Sequence, residues 1–341
     1  MKLRLLIIIL VIILCATIVG MFFFAVNARP VDSIPPAGVL FSLKAGESAA
    51  SVASRLQSIG ALRSSMVFRL LAKIKHQESR LKAGTYSIKP GMGTEAILQT
   101  IVSGRQALIK VTIPEGYRLS QVASLLEKAA VCEASQFTKL AHDPVFIQKN
   151  GIAASSLEGY LFPDTYFFTR DLGAEKAIFS MLTAFKEKIN SFPEAEGLSP
   201  EALNEKVILA SIIEREYRAE DEAALMAGVF YNRLRIGMAL QSCATVVYII
   251  TEKLGKPHPE VLFDRDINIS DPYNSYIHRG LPPGSISNPG GVALRAAFRP
   301  EKSAFLYFRL VDQEEGRHHF SLSLDEHISA KSLYVKRTSG K

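Results

Sequence analysis

The chain has 341 residues, and its formal net charge is +7. That length allows two domains of ordinary size, and the mild basic excess suits a body close to anionic lipid or an acidic polymer as well as an ordinary solvated surface. The three cysteines, Cys15, Cys132 and Cys243, exclude a disulfide scaffold because they are few and far apart, although a single Cys132–Cys243 bridge is left open.

The first predicted element is a membrane-spanning helix. Residues 5–28 contain no charge, and at about 1.5 Å per residue they can cross a hydrocarbon core of roughly 30 Å. Because Lys2 and Arg4 lie directly before this segment, residues 1–4 are predicted in the cytoplasm and residue 29 onward beyond the inner (cytoplasmic) membrane. A cleaved signal peptide is the alternative, but its apolar region usually spans only about 7–15 residues. No later segment is long and apolar enough to cross again.

A short linker and a small α/β body are predicted next. Residues 29–38 hold three prolines and no helical period, as a linker does. Beyond them, the spacing of apolar residues predicts a strand, two helices, a second strand and a third helix. These segments are, in order, 41–46, 47–59, 66–74, 84–88 and 94–101. We place a domain boundary near residue 108.

The remainder of the chain mixes helix and strand patterns. Lys110 begins a strand that leads through a glycine turn into an amphipathic helix. Helical spacing recurs at 137–142, 174–189 and 199–234, and strand alternation at 305–310 and 318–322. The predicted fold class is therefore α+β, with one N-terminal transmembrane helix.

The sequence has no pattern typical of metal or nucleotide chemistry. The histidines are scattered apart from His318 and His319, and neither HExxH nor a paired-cysteine spacing occurs. A phosphate-binding glycine loop and the GxSxG turn of serine hydrolases are absent as well. We therefore predict no metal and no cofactor, which leaves carboxylates as the candidate catalytic groups.

The strongest candidate carboxylate is Glu216, in the segment VILASIIEREY that begins at Val207. On a helical wheel it falls on the apolar stripe with Ile212 and Ile213, whereas Glu214 lies on the more polar side. An apolar wall disfavours the charged carboxylate, so the pKa of Glu216 should rise. Such a group can hold a proton near neutral pH and act as a general acid.

Two questions about this carboxylate stay open at this point. Glu216 could instead be the buried salt-bridge partner of Arg233 or Arg235, and the sequence does not decide between these roles. Glycoside cleavage commonly uses a second carboxylate, but sequence spacing places none against Glu216. The candidates are Glu158, Asp164, Asp221 and Asp271.

A long irregular segment between Asp271 and Gly291, rich in proline and glycine, is the second candidate region. Its Tyr273, Asn274 and Tyr276 are suited to stacking on sugar rings and to hydrogen bonding with amides or hydroxyls. An ordinary surface loop is the alternative. Long ordered loops tend to be functional, which favours a binding groove.

Taken together, these segments resemble the endolytic murein transglycosylases, the MltG/YceG-like family of membrane-anchored peptidoglycan-cleaving enzymes. The resemblance covers almost the whole chain and begins with the N-terminal anchor. The blocks that carry it are EGYLFPDTY from Glu158, ASIIERE from Ala210, VFYNRLRIGM from Val229, NSY from Asn274 and GLPPG from Gly280.

The resemblance implies a LysM-like module at 39–108 and a larger α+β catalytic domain at 109–341. It also implies a lytic transglycosylase, a glycan lyase, in which Glu216 protonates the β-1,4 oxygen between N-acetylmuramic acid (MurNAc) and N-acetylglucosamine (GlcNAc). The muramyl 6-hydroxyl then closes on the anomeric carbon and forms a 1,6-anhydro end, so no water-activating carboxylate is needed. The predicted substrate-binding residues are Glu214, Gln241, Tyr273, Asn274, Tyr276, Leu281 and Pro282.

The implied partners are peptidoglycan glycan strands, which the enzyme would terminate or trim as they emerge, and cell-wall synthases; nucleic acid is not among them. The chain departs from the family pattern in two places. The family commonly reads Gln-Thr-Asp-Pro-Thr where this chain reads QSCAT from Gln241, so Cys243 and Ala244 replace an acidic and a rigid residue. Tyr217 stands where a threonine is usual.

These departures motivate an alternative function. If the missing aspartate orients the substrate or the acid, the chain would be a weak or silent enzyme, a glycan-binding protein that positions cell-wall synthases. A third alternative, a lipid or nucleic-acid binder built on the basic segment 69–82, ranks last because the body is predicted to be exported.

Overall fold

The computed structural model describes residues 2–330 and divides the chain into two compact units, residues 1–109 and residue 110 onward. The first unit contains helices α1 (Lys2–Asn27), α2 (Ala49–Ser58), α3 (Ser65–Ile74) and α4 (Thr94–Ser103), with strands β1 (Val39–Leu43) and β2 (Gly84–Ile88).

Helix α1 is apolar and unpacked along most of its length. Its 25 residues from Leu3 to Asn27 are long and apolar enough to cross a membrane, and none of its most apolar stretch is buried in the fold. The helix predicted at 5–28 is therefore confirmed, and it suggests a single-pass membrane anchor. At its end the chain joins the first unit, because Ala28 O accepts a hydrogen bond from Thr94 N at 3.0 Å.

The rest of the first unit forms around one antiparallel strand pair. Strands β1 and β2 pair from Val39 opposite Ile88 to Leu43 opposite Gly84. Helices α2 and α3 begin at serine caps, where a hydroxyl accepts a main-chain N–H of the first turn. Their inner faces bury apolar side chains at helical spacing: Val52, Ala53, Leu56, Val67, Phe68, Leu71 and Ala72. The predicted order of strand, helix, helix, strand and helix is confirmed.

Strand β3 (Leu108–Thr112) leads into the second unit. Its other elements are α5 (Leu119–Lys128), α6 (Ala134–Ala141), α7 (Pro144–Lys149), β4 (Thr165–Thr169), α8 (Ala174–Asn190), α9 (Pro200–Glu216), α10 (Ala223–Arg235), α11 (Cys243–Tyr248), α12 (Asp264–Ile267), α13 (Gly291–Phe298), β5 (Tyr307–Asp312), β6 (Arg317–Ser321) and α14 (Leu324–Ser329). Strand β3 pairs with β4, and β5 pairs with β6. The mixture of helices and small sheets agrees with the predicted α+β class.

Helix α9 forms the centre of the second unit. It packs against α10, α11 and α13, and every residue from Val207 to Ile213 is buried. Because neighbours enclose this stretch on more than one side, the helical wheel's division into an apolar and a polar face does not hold there, and Ser211 is fully buried. The helix emerges from this enclosure only in its last turn.

The segment between α12 and α13 is irregular, as predicted, but much of it lies inside the protein. Its buried polar residues are Asn274, Ser275, Ser285, Ser287 and Asn288. Buried polar groups require hydrogen-bond partners, so this segment is held by specific contacts and differs from an ordinary surface loop.

Candidate active site

Helix α9 ends at Glu216, which it presents to a cavity of about 350 Å³. The next residue, Tyr217, turns to an extended conformation after its N–H donates to Ile213 O. The cavity is lined by Glu216, Phe230, Arg233, Leu240, Gln241, Ser242, Cys243, Tyr276, Tyr307, Phe308, Arg309, Leu324 and His327. The side chains come from α9, α10, the loop before α11, the start of α11, the irregular segment, the β5–β6 hairpin and α14.

The environment of Glu216 favours its protonated form. Burial raises the pKa of this carboxyl group, and a hydrogen bond from Ser242 lowers it again only in part. Ser242 Oγ donates to Oε1 of Glu216, and the main-chain N–H of Ala244 also stabilises the charged carboxylate. The carboxyl group is thus a proton donor that is held by Ser242 and lines the cavity.

The salt bridge considered between Glu216 and Arg233 or Arg235 is not formed in the structure. The guanidinium of Arg233 donates to two main-chain carbonyls, Leu306 O and Leu240 O, each at 2.6 Å. Arg235 donates to Asn232 Oδ1 at 3.1 Å. Within residues 2–330 no ion pair involves Glu216. Burial raises the pKa of Glu216, and the hydroxyl of Ser242, the electrostatic influence of His318 and Arg215, and a main-chain hydrogen bond from Ala244 lower it in part.

A buried hydroxyl network fixes the position of Ser242. Gln241 adopts a left-handed backbone with φ of 51°, and its N–H donates to Ser275 O at 2.9 Å. The N–H of Ser242 donates to Ser275 Oγ at 3.0 Å. The hydroxyl of Thr245 contacts Ser275 Oγ at 2.9 Å and donates to Ser242 O at 2.8 Å. These bonds clamp the QSCAT segment to the irregular segment and aim Ser242 at Glu216.

Cys243, one of the departures from the family pattern, also lines the cavity. Its Sγ lies 3.0 Å from the hydroxyl of Tyr276, and burial raises the pKa of its thiol. Cys132 and Cys243 are both free, so the bridge left open above is not present in the structure. A neutral, hydrogen-bonded thiol therefore lies in the cavity with the proposed acid.

The predicted substrate-binding residues divide into two groups. Gln241 and Tyr276 line the cavity with Glu216. Tyr273, Asn274, Leu281, Pro282 and Glu214 lie outside its lining. The structure therefore brings two of the seven residues to the proposed acid.

The contacts of three residues in the second group are internal to the fold. Tyr273 packs on Tyr248 with 5.1 Å between ring centroids. Asn274 is fully buried and donates to Ile267 O at the end of α12 and to Ile269 O just beyond it. Glu214 accepts the N–H of Gly290 at 2.9 Å, and burial together with nearby Glu115 raises the pKa of Glu214 to about 7.

The other carboxylates considered as a second acid lie outside the cavity lining. Asp164 accepts the N–H of Thr165, Asp271 accepts the N–H of Tyr273, and Asp221 pairs with Arg317 at 2.6 Å. Among the residues that the structure describes, Glu216 is thus the single carboxylate of this cavity.

Buried hydrogen bonds of Glu158 and Asn288 hold the EGYLFPDTY block in place. The amide oxygen of Asn288 accepts the N–H groups of Gly159 and Leu161 at 2.9 and 3.0 Å. Its amide nitrogen donates to Tyr117 O at 2.9 Å and to Glu158 Oε1 at 3.2 Å. Burial raises the pKa of Glu158 to about 8. The block therefore supports the fold near α9 and contributes no side chain to the cavity lining.

Sequence reasoning did not select most of the cavity wall. Arg233 was considered only as an ion-pair partner, and Ser242 only as part of a departure from the family pattern. The hairpin and α14 contribute Tyr307, Phe308, Arg309, Leu324 and His327. No local pattern marks these residues, because they reach Glu216 only through tertiary packing.

Comparisons with known proteins agree with this architecture. The model of the YceG-like family matches residues 41–332. A protein of Bacillus subtilis (strain 168) named endolytic murein transglycosylase is 30% identical over 329 residues, which cover 92% of this chain and 89% of that protein. A protein of the same name from Streptococcus pneumoniae (strain D39) is 29% identical over 87% of this chain, which spans only 58% of that longer relative.

A solved structure shows the same relationship. The crystal structure of a yceG-like protein from Listeria monocytogenes aligns with a TM-score of 0.58 and 31% identity. The alignment covers 86% of this chain and 99% of the Listeria chain. Since the family model spans most of the residues beyond the N-terminal helix, this protein belongs to the YceG-like family.

Proposed function

We propose that this protein is a membrane-anchored endolytic lytic transglycosylase that cleaves the β-1,4 bond between MurNAc and GlcNAc in peptidoglycan. The proposal rests on the position of Glu216 at the end of α9, where its carboxyl group has a raised pKa. Among the described residues that line the cavity it is the single carboxylate. The names of the Bacillus and Streptococcus relatives support the same reaction.

The proposed reaction needs one acid and no added water. The proton of Glu216 passes to the glycosidic oxygen as the bond from that oxygen to the MurNAc anomeric carbon breaks. The 6-hydroxyl of the same MurNAc bonds to the anomeric carbon and returns a proton to the Glu216 carboxylate. The products are a 1,6-anhydro-MurNAc end and a free GlcNAc hydroxyl, and the acid is regenerated.

We assign substrate contacts first to Gln241 and Tyr276, because both line the cavity beside Glu216. The side-chain amide and the phenol ring suit sugar amides, hydroxyls and ring faces. The assignments of Glu214, Tyr273, Asn274, Leu281 and Pro282 remain predictions for a longer glycan that extends beyond the cavity.

The location of the enzyme follows from α1. Lys2 and Arg4 precede the apolar segment, so we propose that the N-terminus is cytoplasmic and that the catalytic unit lies outside the inner membrane. Such an anchor confines cleavage to glycan strands near the membrane, where new strands emerge and where synthases act. We assign residues 39–108 as a LysM-like module on the order of its strands and helices.

Digestion of peptidoglycan in ¹⁸O-labelled water tests the reaction class. The purified chain is expected to release fragments that end in 1,6-anhydro-MurNAc and contain no ¹⁸O at the new end, as read by mass spectrometry. Reducing ends that carry ¹⁸O would identify a hydrolytic muramidase. Glycan binding without any cleavage would support the alternative of a silent binding protein, which the replacement of the family's aspartate by Cys243 motivates.

Ser242 is predicted to set the pH range of activity. Its hydrogen bond to Glu216 favours the charged carboxylate and so lowers the pKa of that group. Activity requires the protonated acid and falls as the pH rises through this pKa. Removing the donor in Ser242→Ala should raise the pKa and move the alkaline limb of the kcat profile to higher pH, with kcat about tenfold lower because the acid is less well oriented.

The matched variant is Ser242→Thr, which keeps a hydroxyl at the same position. It is expected to retain the alkaline limb of wild type in the same series of kcat measurements. An unshifted limb in Ser242→Ala would show that the hydroxyl does not control the protonation of Glu216.

A further inference from the structure

Helix α3 carries an apolar stripe on its outer surface that no part of the described fold covers. Met66, Leu70 and Ile74 lie one turn apart on one face of the helix, with exposed fractions of 67%, 46% and 62%. The opposite face already supplies the core of the first unit. Three large apolar side chains in line on a short helix indicate a surface that a partner covers.

The same region is rich in positive charge. Residues 63–82 contain six Lys or Arg and one Glu, a net charge of +5. The segment that contains α3 is therefore a concentrated basic region of the chain.

Several of these basic groups are available to an external partner. Arg69, Lys73 and Arg80 are exposed and take part in no ion pair among residues 2–330. By contrast, Lys75 pairs with Glu95, and Arg63 lies 3.7 Å from the carboxylate of Asp32. Arg69 and Lys73 follow Met66 and Leu70 by three residues, so they border the apolar stripe on the helix surface.

The start of α3 lies next to the point where the chain leaves α1. The guanidinium of Arg63 donates to Pro30 O from Nε at 3.1 Å and from Nη2 at 3.0 Å. Pro30 follows the last residue of α1, Asn27, by three positions, and α3 begins at Ser65. If α1 spans a bilayer, the first turn of α3 is therefore held close to the lipid headgroups.

We propose that α3 is an interfacial helix that docks on an anionic lipid surface, with Met66, Leu70 and Ile74 among the headgroups and Arg69 and Lys73 against their charges. This proposal rests on the proposed membrane anchor. An acidic polymer would match the charge but would leave the apolar stripe exposed to water. Tethering by α1 supplies a high effective concentration of lipid, so a short stripe suffices for docking.

Docking would fix the first unit against the membrane. Each basic residue near an anionic surface contributes about 1 kcal/mol to the free energy of binding to that surface, which corresponds to about a fivefold change in the docking equilibrium. Arg69 and Lys73 together therefore account for about 25-fold.

Hydrogen exchange of the full chain in lipid nanodiscs tests the proposal. Nanodiscs of phosphatidylcholine alone are compared with nanodiscs that contain 40% phosphatidylglycerol. Main-chain amides of residues 65–75 are expected to exchange at least fivefold more slowly in the anionic discs. The difference should disappear in Arg69→Glu/Lys73→Glu and shrink in Leu70→Ser/Ile74→Ser. The control Lys176→Glu/Lys186→Glu changes two exposed lysines of α8 by the same charge and should retain the difference.

The outcomes separate this proposal from the anchor on which it rests. A chain that does not elute with nanodiscs would overturn both. A chain that elutes with them but exchanges equally in the two lipids would overturn only the docking of α3. The docking of α3 would also be overturned if the control and the α3 variants lost the slower exchange in anionic discs to the same extent. Equal protection by polyglutamate in phosphatidylcholine discs would assign the surface to acidic polymers and overturn its assignment to lipid.

Discussion

Replacing Glu216 by Gln is expected to lower kcat for peptidoglycan cleavage by about 10²–10⁴-fold, the usual contribution of a positioned general acid. The amide keeps the size of the side chain and an oxygen that accepts the hydroxyl of Ser242, but it has no proton to donate. Because burial disfavours the charged carboxylate, the change should leave the melting temperature close to that of wild type. Anhydromuramyl ends, counted by mass spectrometry, measure the loss.

The matched control for this variant is Glu205→Gln. Glu205 lies on the same helix but is exposed and outside the cavity, so its neutralisation should leave kcat within about twofold. If Glu216→Gln retained more than a tenth of wild-type kcat with an unchanged pH profile, the general acid would have to be sought elsewhere.

Asn288→Ala is expected to destabilise the second unit by about 2–6 kcal/mol, because it removes all the side-chain hydrogen bonds that join three segments. The N–H groups of Gly159 and Leu161 lose their acceptor, whereas Tyr117 O keeps the main-chain N–H of residue 288 as a donor. A buried polar group left without a partner costs about 1–3 kcal/mol. Since a domain is typically stable by only about 5–15 kcal/mol, much of the margin would be lost. Urea unfolding of wild type and variant measures the difference.

The control is another asparagine with a single local contact. The side-chain amide of Asn150 donates to Phe146 O, one turn earlier in α7, and Asn150→Ala keeps the main-chain bonds, so it should cost about 1 kcal/mol or less. A similar loss in both variants would mean that the network around Asn288 does not hold these segments together.

The secondary structure was predictable where apolar side chains recur along the sequence with a clear helical or strand period. The two strands and three helices of residues 41–101 and the terminal strands were predictable because side chains alternate or recur at helical spacing. Helix α9 was found in the same way, but its wheel placed Glu214 on the more polar side, whereas the structure buries this group enough to raise its pKa. That failure has a physical cause: a helix enclosed by α10, α11 and α13 has no polar face in its central turns.

The candidate acid could be inferred early because the apolar spacing of α9 already indicated that the carboxyl group of Glu216 is buried. The cavity around Glu216 could not be inferred from the sequence. Ser242 reaches Glu216 only after the left-handed Gln241 and the contacts with Ser275 fold back the loop before α11. The aromatic and basic wall of the hairpin lies about ninety residues beyond Glu216 in the chain, and no spacing rule connects the two.

By itself, the sequence determined the apolar N-terminal segment, the alternation of helices and strands, the basic concentration at 63–82 and the carboxylate at the end of α9. These properties depend on neighbours within a few residues, so local physics suffices for them. Only the tertiary structure decided that Glu216 is the single carboxylate among the described residues of its cavity, that its hydrogen-bond partner is neutral, and that Asn274 and Asn288 are internal. These properties depend on contacts between segments far apart in the chain, which only the folded protein brings together.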